Sequence, residues 1–466
     1  MTKRRVFIKK SLAGAAGLAV GLNARSYASI MGANERVNLA VIGIRNQGSV
    51  HINAFCKLKD SHNVRIGTLC DADEELFPSR SQMVMEKSGG KPGTEWDMRK
   101  VFEDKDIDAV SIVTPNHWHA LATIWALQAG KHVYVEKPAM HSIWEGMKMV
   151  EAARKYNKRV QVGLNNRSLA GVREAIEFLH GGGIGELYMA RGICYKSRDS
   201  YGMAKDSAPP ASFHYDQWVG PAPNRPYNEK RTHYNFHWYW DTGNGDIGNT
   251  GPHQFDIARW GLNKNEYPVS VYSNGGLYGF DKSGSGSKTP GVMVYGDVEQ
   301  YGHDMTTQET PNTQSAILKY NDGKMLAFEV RGRYTYPESS LGIEVGNAFF
   351  GSDGYLELNG GKWKAFRRRE KEPFATSKES KQDGTQHWAN FLDGIRSGKN
   401  ETLHGDIQEG VLSSALPLLS NISYRLNREL RIKERGTDLK KIINDSEADA
   451  MLRGSHRAPY IVPENE

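Results

Sequence analysis

From residue 37 the chain alternates short apolar runs with longer amphipathic stretches: the runs fall at 37–42, 64–69, 108–113, 132–135 and 160–162. Strands separated by helical stretches cannot pair as hairpins, so they imply βαβ units and a parallel sheet covered on both faces. Right-handed crossovers then wind the sheet doubly. The pattern predicts an α/β fold whose first domain spans 33–160. In such a sheet ligands bind in the crevice outside the carboxyl ends of the strands.

Four of those strand ends carry polar or glycine-rich turns. After the first stands Gly43-Ile44-Arg45-Asn46-Gln47-Gly48. It keeps the outer glycines of the dinucleotide fingerprint and puts Arg45 where the middle glycine lets backbone approach a pyrophosphate. Asp71 ends the second strand and can accept from both ribose hydroxyls, which disfavours a 2′-phosphate and predicts NAD over NADP. It can equally cap the helix that follows. The third and fourth turns are Thr114-Pro115-Asn116, leading to His117 and His119, and Glu136-Lys137-Pro138. The latter sets an ammonium where it can meet both a nicotinamide and a substrate hydroxyl. Gly43, Arg45, Asn46, Gln47, Gly48, Asp71, Thr114, Pro115, Asn116, His119, Glu136, Lys137 and Pro138 are the expected cofactor-binding residues of a Rossmann domain.

Beyond Arg167 the texture becomes aromatic and glycine-rich. Runs at 315–320 and 325–330 flank Asn321-Asp322-Gly323, a hairpin signal. Long β segments without intervening helices predict a second domain over 161–440 with a large open, mostly antiparallel sheet, and 441–466 forms a carboxy-terminal extension. The stretch 281–289 reads as a surface loop and 367–382 as a charged connector. Two amphipathic helices at 387–397 and 406–427 are expected near the domain junction.

The densest string of this half is 236–260, FHWYWDTGNGDIGNTGPHQFDIARW. Its tail from Pro252 reads as a helix start that places His253 at the amino end, where the dipole keeps an imidazole neutral and suited to general base work. Aromatic rings interleaved with Asn, His and Asp suit a carbohydrate, and suit an ordinary core equally. With His253, the residues Asn165, Arg167, Trp238, Trp240 and Asp246 are the expected substrate contacts. The pairs His117/His119 and His233/His237 lack matching carboxylates, so no metal is expected.

The amino terminus carries Arg4-Arg5 in a basic segment, an apolar run over 12–22 and Ser26-Tyr27-Ala28. This is the layout of an export signal, with paired arginines similar to the twin-arginine type, which predicts a periplasmic protein without a membrane anchor. The whole chain has 60 basic and 54 acidic residues, and six of the basic ones precede residue 29 with no acid among them. Removing the signal therefore leaves no net charge, and nothing favours nucleic acid. Three cysteines without a Cys-x-x-Cys pair imply no disulfide framework.

Together TPNHWHA, AGKHVYVEKP, the glycine string ending in a histidine and aspartate, GSDGYLELNG and HWANFLDGIRSGK resemble, in order and spacing, the Gfo/Idh/MocA family of nicotinamide-dependent oxidoreductases. The resemblance implies action on a sugar or polyol and a carboxy-terminal sheet that often forms an oligomer interface, hence a homo-oligomer. It makes Lys137 the lysine that holds the reacting hydroxyl and His253 the histidine that takes its proton. The family's aspartate in that motif is Asn249 here. An amide cannot share a proton as a carboxylate does, so Asp246 or Asp256 must stand in, or the histidine is oriented otherwise. The resulting expectation is NAD-dependent hydride transfer at a secondary alcohol, possibly C3, of a sugar or glycoside, with a tightly held cofactor. An NAD-dependent glycosidase working by oxidation and elimination is the first alternative. A catalytically idle sugar-binding protein is the second.

Overall fold

The computed structural model describes residues 36–464 apart from 199–200, 203, 279–307, 334, 379–381, 434–436, 438 and 440. The expected export signal and the loop at 281–289 lie outside the described residues.

Six strands, β1 (Val37–Ile42), β2 (Val64–Cys70), β3 (Gly93–Glu95), β4 (Ala109–Ile112), β5 (His132–Val135) and β6 (Val160–Val162), form the first sheet in the order β3-β2-β1-β4-β5-β6. Every pairing is parallel. The strand order reverses between β1 and β4, and the crevice opens at that point. β3 was not expected: its three residues are largely exposed and make no apolar run to read. β6 pairs with β5, so the run read at 160–162 is the last strand of the first sheet.

Alternate residues of β1 feed two cores. Leu39 and Val41 pack with Ile52 and Phe55 of the helix Asn46–Lys57, and with Trp388, Phe391 and Leu392. Ala40 and Ile42 pack with Leu121, Ile124 and Met149 on the other face. Trp388 belongs to the helix Gln386–Ser397, and its ring stacks on Tyr134 of β5 at 6.0 Å. That amphipathic helix of the second half therefore closes the first domain, as its apolar stripe at the junction suggested. The helix Ile407–Leu426 likewise meets the first domain, with Ser414 Oγ accepting from the Ala139 N–H at 2.9 Å.

Nine strands, β7 (Leu187–Cys194), β8 (Ser270–Gly276), β9 (Thr313–Lys319), β10 (Met325–Arg331), β11 (Val345–Gly351), β12 (Gly354–Asn359), β13 (Lys362–Arg367), β14 (Ala375–Thr376) and β15 (Leu430–Arg431), build the second sheet. Their order is β14-β13-β12-β11-β7-β10-β9-β8-β15, and only β7 and β10 run parallel. β9 and β10 are the hairpin read from sequence, with Gly323 at φ 88° in its turn. The connector at 367–382 contributes the short edge strand β14, because a two-residue strand leaves no periodicity. The helix Gly251–Gly261 covers one face, where Phe255 stacks on Phe328 at 4.2 Å. On the other face Tyr272 and Ile317 are exposed and lie opposite each other across β8 and β9.

Between β7 and the helix Gly245–Asn249 the chain leaves the second sheet and straps across the first domain. Phe213 bridges Asp73, the Glu74 N–H donates to Ser212 O at 3.0 Å, and the His214 N–H donates to Ala72 O at 2.8 Å. Trp118 Nε1 donates to Gln217 O at 2.9 Å, and Tyr460 of the carboxy-terminal extension packs on the same indole at 5.3 Å. The strap thus roofs the crevice that β1, β2 and β4 open. Cys56, Cys70 and Cys194 are free and buried. No helix among the described residues is long and apolar enough to cross a membrane.

Candidate active site

Gly43 sits at φ 85°, and a Cβ there would meet Val113 O at 2.6 Å. A Cβ on Gly48 would run into the Gly43 carbonyl oxygen. The two glycines thus let the start of the helix Asn46–Lys57 press against β1 and β4, and its first N–H groups make an anion site at the crevice. Arg45 has φ −71°, so no left-handed backbone demands a glycine there, and its side chain ion-pairs with Asp73. The missing middle glycine is therefore accommodated by turning the side chain away.

Asp71 accepts from the Ile44 N–H at 2.8 Å and the Asp73 N–H at 3.0 Å. Burial pushes its carboxyl up to about 6, against those two hydrogen bonds and the Arg45 charge. A carboxylate with lone pairs remaining at the end of β2 suits a pair of ribose hydroxyls. Thr114 Oγ1 and Asn116 Oδ1 are buried in the cleft with no hydrogen-bond partner among the described residues. The outer glycines, the helix start, the acidic strand end and these orphaned acceptors fit a bound NAD. His119 differs from expectation: its ring nitrogens lie 2.6 Å from Pro138 O and 2.8 Å from Thr114 O. It ties two strand-end loops together and has no nitrogen left for a ligand.

At the other end of the cleft Lys137 Nζ donates to Asn249 O at 2.9 Å and to Asn249 Oδ1 at 3.0 Å. An ammonium has three N–H groups, so one remains. Burial pushes Lys137 below the usual lysine range, with Glu136 opposing and the charges of Lys196 and Arg198 adding to the fall. Glu136 Oε1 lies 2.9 Å from His51 Nε2, whose Nδ1 lies 2.8 Å from Ser111 Oγ. Burial raises the Glu136 carboxyl, but the His51 hydrogen bond and charge and the Lys137 charge outweigh it and hold it at about 2. Glu136 is thus an anchored anion beside Lys137.

His253 stands in the first turn of the helix Gly251–Gly261, directly after Pro252. Its Nδ1 is buried with no hydrogen-bond partner among the described residues. Burial first, then the Lys137 charge, pushes the imidazole down to about 3, so it is a neutral base across the physiological range. Neither expected carboxylate hydrogen-bonds to it, although the charge of Asp256 opposes part of the fall. Asp246 accepts from Arg198 Nε at 2.7 Å. Asp256 is gripped by Arg167, with Nε to Oδ2 at 2.8 Å, and accepts from Ser413 Oγ at 2.6 Å.

Four expected substrate residues lie elsewhere. Arg167 spends its guanidinium on Asp256 and on Glu409 at 2.9 Å. Asn165 Oδ1 accepts from the Tyr134 hydroxyl at 2.8 Å. Trp238 is buried beneath the Arg198 guanidinium at 4.7 Å, and Trp240 lies beneath Arg425 at 5.0 Å. These indoles stack on the protein's own cations.

Residues 37–164 match a model described as the oxidoreductase family's NAD-binding Rossmann fold, and residues 198–298 match that family's C-terminal alpha/beta domain. Over these two segments the chain is similar to the Gfo/Idh/MocA oxidoreductase family. Among curated relatives, an alpha-N-acetylgalactosaminidase of Shewanella oneidensis is 29% identical over 175 residues, which are 33% of this chain and 38% of that one. The matches to the curated relatives span only 27% to 38% of those proteins' own length. Two solved structures share the fold. One is the WlbA dehydrogenase of Bordetella pertussis in complex with NADH and UDP-GlcNAcA, at TM-score 0.60 and 19% identity, covering 86% of this chain and 99% of that one. The other is an aldose-aldose oxidoreductase of Caulobacter crescentus complexed with glycerol, at TM-score 0.61 and 15% identity, covering 85% and 100%.

Within this cleft Lys196, Arg198, Phe213 and Gln217 had no signal that singled them out, whereas Trp218, Tyr234 and Phe236 belong to the aromatic group read as either core or sugar-stacking, and His233 and His237 were noted only as a pair without carboxylates. Lys196 and Arg198 follow β7, and Phe213, Gln217 and Trp218 arrive on the strap. His233, Tyr234, Phe236 and His237 line the same cleft from the short helix His233–Trp238. The aromatic string was therefore the right region, and its cleft-facing members precede the two tryptophans singled out.

Proposed function

We propose that the protein transfers a hydride at a secondary alcohol of a sugar or glycoside, with C3 as the reacting carbon, and holds its NAD through turnover. The observation that carries this reading is Lys137, fixed on Asn249 with one N–H to spare, in the same cleft as a His253 whose Nδ1 has no partner among the described residues. Bound NAD would supply the hydride acceptor and, on the return, the donor. Lys137 donates its third N–H to the hydroxyl oxygen and steadies the negative charge that grows there. His253 takes the hydroxyl proton. Glu136, anchored by His51, keeps the neighbouring lysine charged despite its burial. The strap over the nucleotide cleft supports retention of the cofactor, which then needs a second substrate or a redox-neutral cycle to reset it.

A redox-neutral cycle is the second reading, favoured by similarity to glycosyl hydrolase family 109 proteins and an alpha-N-acetylgalactosaminidase. Oxidation at C3 acidifies the C2 hydrogen, the aglycone is eliminated, water adds, and reduction completes the cycle. The product separates the two: a ketosugar for the oxidoreductase, a hydrolysed sugar for the glycosidase.

Export through the twin-arginine route belongs to the same proposal, because a protein that folds around NAD before crossing carries its cofactor with it. Fractionation of cells expressing the full chain and an Arg4→Lys/Arg5→Lys form tests it. The exposed Tyr272 and Ile317 on the open sheet support a homo-oligomer, which light scattering would measure.

The deciding experiment releases nucleotide by denaturation from protein purified without added cofactor, then follows nicotinamide reduction on adding glycosides. Lys137→Ala is expected to keep the nucleotide and lose turnover by about a hundredfold or more. Undiminished turnover would overturn the proposed site, and nucleotide-free protein that ignores added NAD would leave only a binding protein.

A further inference from the structure

The reacting end of the cleft has more positive charge than its carboxylates balance. After β7 the chain continues beside its neighbours, with the Tyr195 N–H donating to Glu344 O at 2.7 Å and the Arg198 N–H to Gly332 O at 2.9 Å. Lys196 and Arg198, two residues apart, both line the cleft with Lys137 and His253. Lys196 depresses the pKa values of both Lys137 and His253, so its charge is felt where the chemistry is placed. The acids lining the cleft are Asp71, at the ribose end, and Glu136, which His51 already holds.

Arg198 is built in place. Its Nε donates to the buried Asp246 at 2.7 Å, its Nη1 donates to the Tyr234 hydroxyl at 3.3 Å, and its plane lies over Trp238 at 4.7 Å. Three contacts fix the guanidinium and leave Nη2 with no partner among the described residues. The Lys196 ammonium has none there either. A guanidinium held rigid with one edge uncommitted is a receptor for an oxyanion, since charge-assisted hydrogen bonds to a preset fork lose little entropy on forming. A neutral sugar would leave that edge and the ammonium to water. Oxidised nicotinamide, itself a cation, would add to the surplus.

We propose that the sugar bears an anionic group, a carboxylate or a sulfate ester, which Arg198 Nη2 and Lys196 bind while Lys137 holds the reacting hydroxyl. This rests on the sugar oxidoreductase reading and names its substrate class. Arg198 and Lys196 are specificity residues, and Asp246 positions Arg198.

The test uses the holoprotein and matched methyl glycosides of glucose and galactose, each as the neutral sugar, the uronate and the 6-sulfate. Calorimetric binding to the Lys137→Ala holoprotein reads the anion preference whether or not turnover occurs. The expected result is tighter binding of one anionic form over its neutral parent by about tenfold or more, weakening with added salt. Whether uronate or sulfate leads identifies the anion. Lys196→Gln, a change at an exposed position, should lower the anionic-to-neutral affinity ratio several-fold. Equal or weaker binding of every anionic form than of its parent overturns the proposal. Turnover in the wild-type chain is scored separately: anion-selective binding without hydride transfer would refute the oxidoreductase reading and leave the anion site standing.

Discussion

The ammonium of Lys137 rests on both oxygens of Asn249, the backbone carbonyl at 2.9 Å and Oδ1 at 3.0 Å. A neutral amide thus occupies the place where the resemblance supplies a carboxylate. It positions the lysine without adding charge, which leaves burial free to depress Lys137 and His253.

Asn249→Asp is therefore expected to move the whole pH-rate profile upward. A carboxylate at that distance favours both charged forms, so His253 protonates, and activity falls, at a higher pH than its present value of about 3 allows. Lys137 likewise keeps its proton to higher pH. A shift of about one unit or more in both limbs is the expected outcome. A profile unmoved by the substitution would show that neither group sets it.

NAD affinity should depend on Asp71. The carboxyl titrates at about 6, and only its ionised form accepts from both ribose hydroxyls, so binding to the nucleotide-free protein should tighten as pH rises through that value. Asp71→Asn should flatten the dependence and weaken binding by about ten- to a hundredfold, the loss of a charge-assisted hydrogen bond. Titration calorimetry across that pH range checks both.

Arg167 should be a stability residue. Replacing it with Met leaves Asp256 and Glu409 buried or half-buried with Arg259 as the remaining cationic partner among the described residues. Breaking such a pair costs about 3–5 kcal/mol. Thermal unfolding should therefore drop sharply while KM for the sugar stays close to wild type. The reverse pattern would return Arg167 to the substrate site.

Gly48→Ala drives a Cβ into the Gly43 carbonyl. Backbone cannot yield as a side-chain tip would, so the helix Asn46–Lys57 must move off β1 and β4. A cost of about 1–3 kcal/mol is expected, together with weaker NAD binding, measured by thermal shift with and without nucleotide.

The two halves of the chain were unequally legible. In the first domain each buried strand is followed at once by the turn that does its chemistry, so Gly43, Asp71, Asn116 and Lys137 could be read in order. β3 escaped because three largely exposed residues carry no pattern. In the second half the aromatic string announced a site but not its facing. Trp238 and Trp240 were claimed by Arg198 and Arg425, partners 40 and 185 residues away in sequence, as the residue numbers show.

Local order in the chain was enough to determine the parallel sheet, the nucleotide crevice, and the positions of Lys137 at a strand end and His253 at a helix start. These depend on turns that follow their own strands, and such neighbours in sequence are neighbours in space. Tertiary structure alone decided the roof of the cleft, the pairing of Asp256 with Arg167, the Asn249 contact to Lys137 and the exposure of Arg198 and Lys196 to the site. Each of these depends on where the excursion between the two sheets lands. Competition among long-range partners for a few buried charges settles that, and no local pattern records it.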